Sequence, residues 1–383
     1  MGRIYLDYAA TTPVDERVVQ AMLPVFNQTF GNPSSVHFFG QKAEALVTDS
    51  RRKIATLMNG RTDEIYFTSG GTESNNLAIR GTMLAQRDKK RCCHFLISEV
   101  EHHAVLHTAR QLADQFGFEL ELIPVDEYGR VSPDDVRNMI KPETVLVSVI
   151  YANNEIGTIN PIKEIAAVCR EKNVLFHSDA VQAAAHLPID LQSDGVDLLT
   201  FGAHKFYGPK GVGGLFIRRG TPIVAVNTGG GQENDLRAGT ENVPYITGMA
   251  EAYDITRKEL AVHSERLSKM RDSLITSVLS QNNKVRLTGH PQMRLPNHAS
   301  FAFEGVDGNH LLTLLDAAGF ACSSGSACKA GSPKPSEVLV AMGLSKNWNK
   351  GSLRVTLGRQ TTLDQVELFC DQLPAIVEKV RSI

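Results

Sequence analysis

The sequence predicts an α/β protein with a large domain built on a mostly parallel sheet and a smaller α+β domain, and three observations carry that expectation. Short β-rich apolar runs alternate with helix-length amphipathic segments between about residues 60 and 220, the pattern of strands joined by crossover helices. Runs such as Val145-Leu146-Val147-Ser148-Val149-Ile150 are apolar nearly throughout, as strands are when helices cover both faces of a sheet. The chain has 383 residues, more than one core of ordinary size organises, so two lobes are expected.

Taken in order, the first dozen residues read as an arm that joins the smaller lobe. The expected strands are Glu64–Phe67, His94–Ser98, Glu119–Pro124, Thr144–Ile150, Val174–Ser178, Leu198–Phe201 and Gly214–Ile217. Between them, Asn75–Gln86, Ala104–Gln115 and Ile162–Glu171 carry apolar residues at helical spacing,. After roughly Gly248 the pattern changes to a long charged helix, Glu251–Leu279, and a polar, Pro-containing stretch at Gly289–Pro296 opens a new unit. That unit contains a strand (Ala299–Phe303), a helix (Asn309–Ala317), a Gly/Ser-rich loop (Cys322–Pro335), a strand (Ser352–Thr356) and a closing helix (Leu363–Val380). The expected division is 13–255 for the large domain, with 1–12 and 256–383 forming the smaller one.

Composition excludes several classes of function. Apolar residues make up 42% and charged residues 21% of the chain, an ordinary globular balance,. Forty basic against forty-two acidic side chains leave a formal charge of -2, so no global field draws the protein to nucleic acid or to anionic lipid. No apolar run is long enough to span a membrane, and the start, Met1-Gly2-Arg3-Ile4-Tyr5-Leu6-Asp7, lacks the apolar stretch of a signal peptide,. A cytoplasmic location is expected. The six cysteines, Cys92, Cys93, Cys169, Cys322, Cys328 and Cys370, form no C-x-x-C pairs, which argues against a disulfide framework and a zinc site.

Three segments carry chemistry. Thr68-Ser69-Gly70-Gly71-Thr72-Glu73-Ser74-Asn75 follows a strand and opens a helix, so backbone N–H groups and hydroxyls can converge there on an anion; a capped turn without a ligand has the same composition. Asp179 ends one apolar strand and Lys205 follows a later one. The two are either an ion pair bridging strands or the partners of a cofactor, the acid facing a protonated pyridine nitrogen and the lysine forming the Schiff base that pyridoxal phosphate chemistry requires. The neighbouring Ser/Thr turn favours the cofactor. Gly208-Pro209-Lys210-Gly211-Val212-Gly213-Gly214 lacks a Gly-Lys-Ser/Thr ending and precedes a strand, so it reads as a turn. Cys328 lies in Cys322-Ser323-Ser324-Gly325-Ser326-Ala327-Cys328-Lys329-Ala330-Gly331-Ser332-Pro333, a run of small polar residues and glycine that suits an exposed loop better than a core, and Lys329 beside it favours a thiolate.

Beyond these readings the sequence resembles the cysteine desulfurases of the NifS/IscS type, a class V aminotransferase group of fold-type-I pyridoxal-phosphate enzymes. Matching segments are Tyr5-Leu6-Asp7-Tyr8-Ala9-Ala10-Thr11-Thr12-Pro13, Phe30-Gly31-Asn32-Pro33-Ser34-Ser35, the Thr68–Ser74 turn, Glu101-His102-His103-Ala104-Val105-Leu106, Asn153-Asn154-Glu155-Ile156-Gly157, Gly239-Thr240-Glu241-Asn242 and Ser323-Ser324-Gly325-Ser326-Ala327-Cys328. The resemblance implies that Lys205 holds pyridoxal 5'-phosphate, that Asp179 stabilises its protonated ring nitrogen, and that Gln182 and Asn154 bond its phenolic oxygen. It implies that His102 stacks on the ring and moves protons. Gly71, Thr72 and His204 match phosphate contacts, and Thr240 matches one supplied by a partner subunit, which implies a homodimer. Arg354, with Asn154 and Asn32, matches the substrate contacts. L-cysteine would be converted to L-alanine, its sulfur passing to Cys328 as a persulfide for an iron–sulfur scaffold or a tRNA-thiolating enzyme. A selenocysteine lyase, an aminotransferase, or a sulfur carrier without turnover would share the fold. The chain departs from the family at Gly202, where a serine is usual, removing one hydroxyl contact to phosphate. Cys322 occupies a position where the motif does not require cysteine.

Overall fold

The computed structural model describes residues 2–87, 94–325 and 336–382. The chain enters through β1 (Ile4–Tyr5), which belongs to the second lobe. It then builds β2 (Ile65–Thr68), β3 (His94–Ser98), β4 (Glu119–Ile123), β5 (Thr144–Ser148), β6 (Leu175–Asp179), β7 (Leu198–Gly202) and β8 (Gly213–Ile217). Among the described residues these seven form one sheet in the spatial order β2-β8-β7-β6-β5-β3-β4. From β4 to β7 all neighbours are parallel, and β8 runs antiparallel to both β7 and β2. With β8 alone reversed, β2, β3, β5, β6 and β7 all deliver their carboxyl ends to one edge, where loops of an open α/β sheet gather into a site.

Burial explains the patterning. Every residue of β3, β5, β7 and β8 is buried, which accounts for their unbroken apolar runs. β4 lies at the rim, partly exposed, and its Glu119 and Glu121 are both bonded by Lys141; charge on an open edge discourages pairing with another chain. The run expected as a strand over Thr144–Ile150 is a strand to Ser148; beyond it Val149 N and Tyr151 N still donate to His177 O and Asp179 O of β6, while the Ile150 N–H donates to the Glu101 carboxyl at 2.6 Å.

Two helices, Glu16–Asn27 and Phe38–Leu57, fall in a stretch to which the sequence assigned no element. Their outer faces carry Val19, Leu23, Phe26, Phe38 and Phe39, all exposed, and apolar residues on both faces blur the helical period. The long helix is Val243–Gln281, 39 residues, and begins earlier than its charged portion suggests: the Asn242 side chain accepts from Tyr245 N and Pro244 occupies the first turn, both favourable at a helix start. At about 58 Å it spans the molecule. Its residues up to Ile255 pack in the large-lobe core with Phe201, Phe206 and Phe216, and Leu267 to Val278 pack in a second core with Phe301, Phe320 and Phe369.

The second lobe contains β9 (Val285–Leu287), β10 (His298–Phe303), β11 (Phe320–Ala321) and β12 (Ser352–Thr356), with β10 antiparallel between β9 and β12 and β11 parallel to β1. Ile4 and Leu6 are buried in this second core, so the arm starts there. It then crosses to the large sheet: Ala9 N donates to Thr356 Oγ1 at 2.9 Å, and Tyr207 N donates to Thr12 Oγ1 at 2.9 Å. No helix among the described residues is long and apolar enough to cross a membrane.

The arm is fixed by close packing of the Tyr8 ring on Gly358, where an added Cβ would fall inside that ring. Gly358→Ala is therefore expected to lower stability by about 1–3 kcal/mol through overpacking, read as a lower urea midpoint; an unchanged midpoint would show that the arm is not held at this point.

Candidate active site

A cavity of about 310 Å³ opens at the carboxyl edge of the sheet, lined by Ala10, Gly71, Thr72, Asn75, His102, Ile150, Asn154, Asp179, Val181, Gln182, His204 and Lys205. Each wall comes from a strand end. Asp179 closes β6 and is 4% exposed. Its Oδ2 accepts from Asn75 Nδ2 at 2.6 Å and its Oδ1 from Val181 N at 2.9 Å, so the acid is positioned by two neutral donors. Lys205 follows β7 and donates from Nζ to Ala9 O and Ala10 O, both at 2.6 Å. Gln182 Nε2 donates to the same Ala9 carbonyl at 2.8 Å. The arm thus supplies the acceptors that aim the lysine.

Behind Asp179 sits a second acid, Glu101, whose Oε1 accepts from Ser98 Oγ and Ile150 N, both at 2.6 Å, while Oε2 is buried without a partner among the described residues. Burial raises its pKa to about 8; the Ser98 hydrogen bond opposes that rise and the Asp179 charge adds to it. At neutral pH it holds a proton, which leaves Asp179 as the negative group facing the cavity. His102 caps the helix His103–Phe116, its Nδ1 accepting from Ala104 N at 3.1 Å. Burial lowers its pKa, against the pull of Asp179 and with Lys205, His103 and His107 pushing the same way as burial, so the imidazole is neutral.

At the end of β2 the helix Gly71–Gln86 begins on Gly70, at φ +153°. A Cβ on Gly71 would lie 2.7 Å from Val181 Cγ2, so only glycine lets this helix start approach the β6 loop. His204, hydrogen-bonded to Thr11 Oγ1 at 3.2 Å, is pushed down to about 4 by burial and then by Lys205 and Lys210. Gly202 sits between these walls: a Cβ there would find Gly71 N at 3.6 Å and Val181 at 3.7 Å, ordinary contacts that a serine would satisfy without strain.

Asn154 forms the opposite wall, and its carbonyl accepts from Arg354 Nη1 at 3.0 Å and from His298 Nε2 at 3.1 Å. Gly157, at φ +77°, has no room for a Cβ because the His298 ring would lie 2.8 Å away, which gives the Asn153–Gly157 motif its terminal glycine. Glu155 is half-buried and accepts from Ser336 Oγ at 2.6 Å; desolvation first, opposed by that hydrogen bond and by Arg354, raises it to about 7. A Cβ on Gly325 would come within 2.6 Å of the same carboxylate. Both flanks of the segment 326–335 therefore rest on the residue next to Asn154.

Arg354 is buried and does not line the cavity. Its Nη2 donates to Asp7 Oδ1 at 2.8 Å, its Nη1 to Asn154 O, and its Nε is buried with no partner among the described residues. Asn32 and Thr240 are exposed and stand apart from the cavity; Asn32 Oδ1 accepts from Ser34 N at 2.9 Å. His103 turns away from the cavity, toward His107 and Glu337. Cys328, Lys329, Cys92 and Cys93 lie outside the described residues. Cys322 lies against the second core, its thiol pushed well up in pKa by burial and then by Asp7, a setting that keeps it unreactive. The sequence reading assigned no role to Asn75 or Glu101. Their signal was there: Ser74-Asn75 puts polar residues on the buried face of a helix, and Glu101 is a carboxylate between apolar Val100 and a helix cap.

Residues 4–369 match the model of the class-V aminotransferase family. Over 380 residues the chain is 47% identical to the cysteine desulfurase IscS of Methanosarcina thermophila, covering 99% of this chain and 93% of that relative. It is 45% identical over 379 residues to cysteine desulfurase IscS 1 of Archaeoglobus fulgidus, covering 99% and 98%. A solved NifS-like protein superposes with a TM-score of 0.92 at 34% identity, covering 98% of this chain and all of that one. SspA, solved in complex with cysteine, superposes with a TM-score of 0.81 at 33% identity over 92% of this chain.

Because Glu101 titrates near 8 in the native state but near 4.5 unfolded, the folded protein binds its proton more tightly, and that stability is lost as pH rises through this window. Glu101→Gln keeps a neutral group there. Its stability relative to the parent should climb between about pH 4.5 and 8, by on the order of a few kcal/mol, and level off above; parallel unfolding curves at all pH values would contradict the assignment.

Proposed function

Since the chain belongs to the class-V aminotransferase family and, within it, to the NifS/IscS-type cysteine desulfurases, we propose that its cavity binds pyridoxal 5'-phosphate and L-cysteine and that the substrate's sulfur passes to Cys328. The observation that carries this reading is the buried Asp179 carboxylate lining the same cavity as Lys205.

The residues fit the cofactor on chemical grounds. Asp179 accepts hydrogen bonds from the Asn75 amide and the Val181 N–H, both neutral donors, so a protonated pyridine nitrogen would supply the cation such a buried charge calls for. The start of the Gly71 helix, with Thr72 and neutral His204 beside it, suits a phosphate, and Gln182 and Asn154 offer amides to the phenolic oxygen. Lys205 is the covalent anchor and His102 the neutral ring that covers the face. Bound there, the cofactor supplies an electron sink for the α-carbon of the amino acid.

The protein's own groups do the rest. Arg354 is the group proposed to take the substrate carboxylate; its Nη atoms are held by Asp7 and the Asn154 carbonyl outside the cavity lining, so this role requires its fork to turn from those partners toward the cavity. Displaced from the cofactor by the substrate's amine, the freed Lys205 Nζ would take the α-proton as a general base. The Cys328 thiolate attacks the substrate sulfur; an S–S bond forms, the C–S bond breaks, and its electron pair goes to the carbon fragment, which gains a proton and leaves as L-alanine. Ser336 bonds Glu155 beside the cavity wall, and an added Cβ on Gly325 would meet the same carboxylate. The persulfide is then available to an acceptor protein, an iron–sulfur scaffold or a tRNA-thiolating enzyme. The functional unit is a homodimer in the cytoplasm: Thr240 is exposed on its own chain and contributes to the partner's phosphate site, and the stacked Phe30 and Phe39 with Leu23 and Phe26 give an apolar surface for the second copy,.

Cys328→Ser should bind the cofactor, stay yellow and bind cysteine, yet release no alanine, measured by amino-acid analysis of the products. Lys205→Ala should lose the cofactor that borohydride traps in the parent. Normal alanine release from the first variant, or undiminished trapping in the second, would remove these residues from the mechanism.

A further inference from the structure

Outside the cavity, the helix His103–Phe116 carries His103 and His107 one turn apart, their rings parallel within 8° and 4.7 Å between centroids. Glu337, the first residue of the helix Glu337–Ala341, reaches the same place, with Oε2 3.8 Å from His103 Nε2. One nitrogen of each ring and one Glu337 oxygen all lie within 4.8 Å of one another. In a tetrahedral site with bonds near 2.1 Å, neighbouring ligand atoms stand about 3.4 Å apart, so small rotations of these accessible side chains close the set. Residues four apart on a helix share a face, which is why two imidazoles at this spacing can bind one ion. The contact displaced at Glu337 is an exposed pair with Arg110 Nη1 at 3.3 Å, of a kind that contributes only about 0–1 kcal/mol.

We propose that His103, His107 and Glu337 form a surface site for a first-row divalent cation of the zinc class, bound by two imidazole nitrogens and one carboxylate oxygen with the remaining position left to water. None of the three lines the catalytic cavity, and the proposed reaction uses none of them. The ligand set is chemically selective, since nitrogen donors favour zinc, nickel or copper over magnesium or calcium. An ion there joins the helix capped by His102 to the helix that follows Ser336, the residue bonded to Glu155, and so cross-links two supports of the cavity.

The test is calorimetric titration of Zn²⁺ into the full-length, cofactor-loaded protein, in a Cys328→Ser background so that this thiol does not take the ion. One ion per chain should bind. Loss of a ligand should weaken binding at least about tenfold, the lower range seen even for residues that only support ligands, in both His107→Ala and Glu337→Gln, while His310→Ala on a separate helix leaves it unchanged. Equal affinity in the parent and both ligand variants, or no binding by the parent, overturns the proposal.

Discussion

A carboxylate kept charged in the interior has to be met by dipoles or by an opposite charge, and Asp179 at the end of β6 imposes that requirement on everything around it. Asn75 and the Val181 N–H are aimed at its two oxygens. Glu101 is held protonated by burial and by Asp179 itself, and the pKa of His102 is lowered by its desolvation at the cavity wall. The wall is therefore arranged so that the Asp179 carboxylate and the Lys205 amine share one cavity. The cationic ring proposed for this cavity would meet the Asp179 carboxylate with an opposite charge.

The opposite side of the cavity depends on the second lobe. Arg354 on β12 reaches Asp7 on the arm and the Asn154 carbonyl on the large lobe, and His298 props the same carbonyl through Nε2. The arm also supplies the carbonyls of Ala9 and Ala10 to Lys205. A substrate carboxylate at Arg354 and an amine at Lys205 would thus be aligned by one short segment, residues 7–10, tied to both lobes. Gly202 fits the same logic: the space beside Gly71 N admits a Cβ at ordinary contact distances, so the absence of a serine there reflects no steric demand, and in the proposed reading the phosphate would be left to Gly71, Thr72 and His204.

Much of this was legible in the chain itself. The inner strands β3, β5, β7 and β8 were visible because they are buried throughout and largely apolar, and Ile162–Glu171 and Ser352–Thr356 have in the structure the bounds their patterns indicate. The acid and the lysine that line the cavity could be found because each follows an apolar strand. Other features could not be read this way. The helices Glu16–Asn27 and Phe38–Leu57 expose apolar side chains to the outside, which masks their period. Asn75 lies on a helix and points to an acid 104 residues away, and the pairing of Arg354 with Asp7 joins opposite ends of the chain; no local pattern encodes contacts of that range. The neutrality of Glu101 arises from burial, which the identity of the residue alone does not determine.

The central claim is that sulfur taken from the substrate in this cavity comes to rest on Cys328. Mass spectrometry of the peptide containing Cys328, after brief exposure of the cofactor-loaded protein to L-cysteine and alkylation, addresses it most directly. The account predicts one additional sulfur on Cys328 and none on Cys322, Cys169 or Cys370. Unmodified Cys328 alongside continued alanine formation, or the extra sulfur on another cysteine, would contradict it.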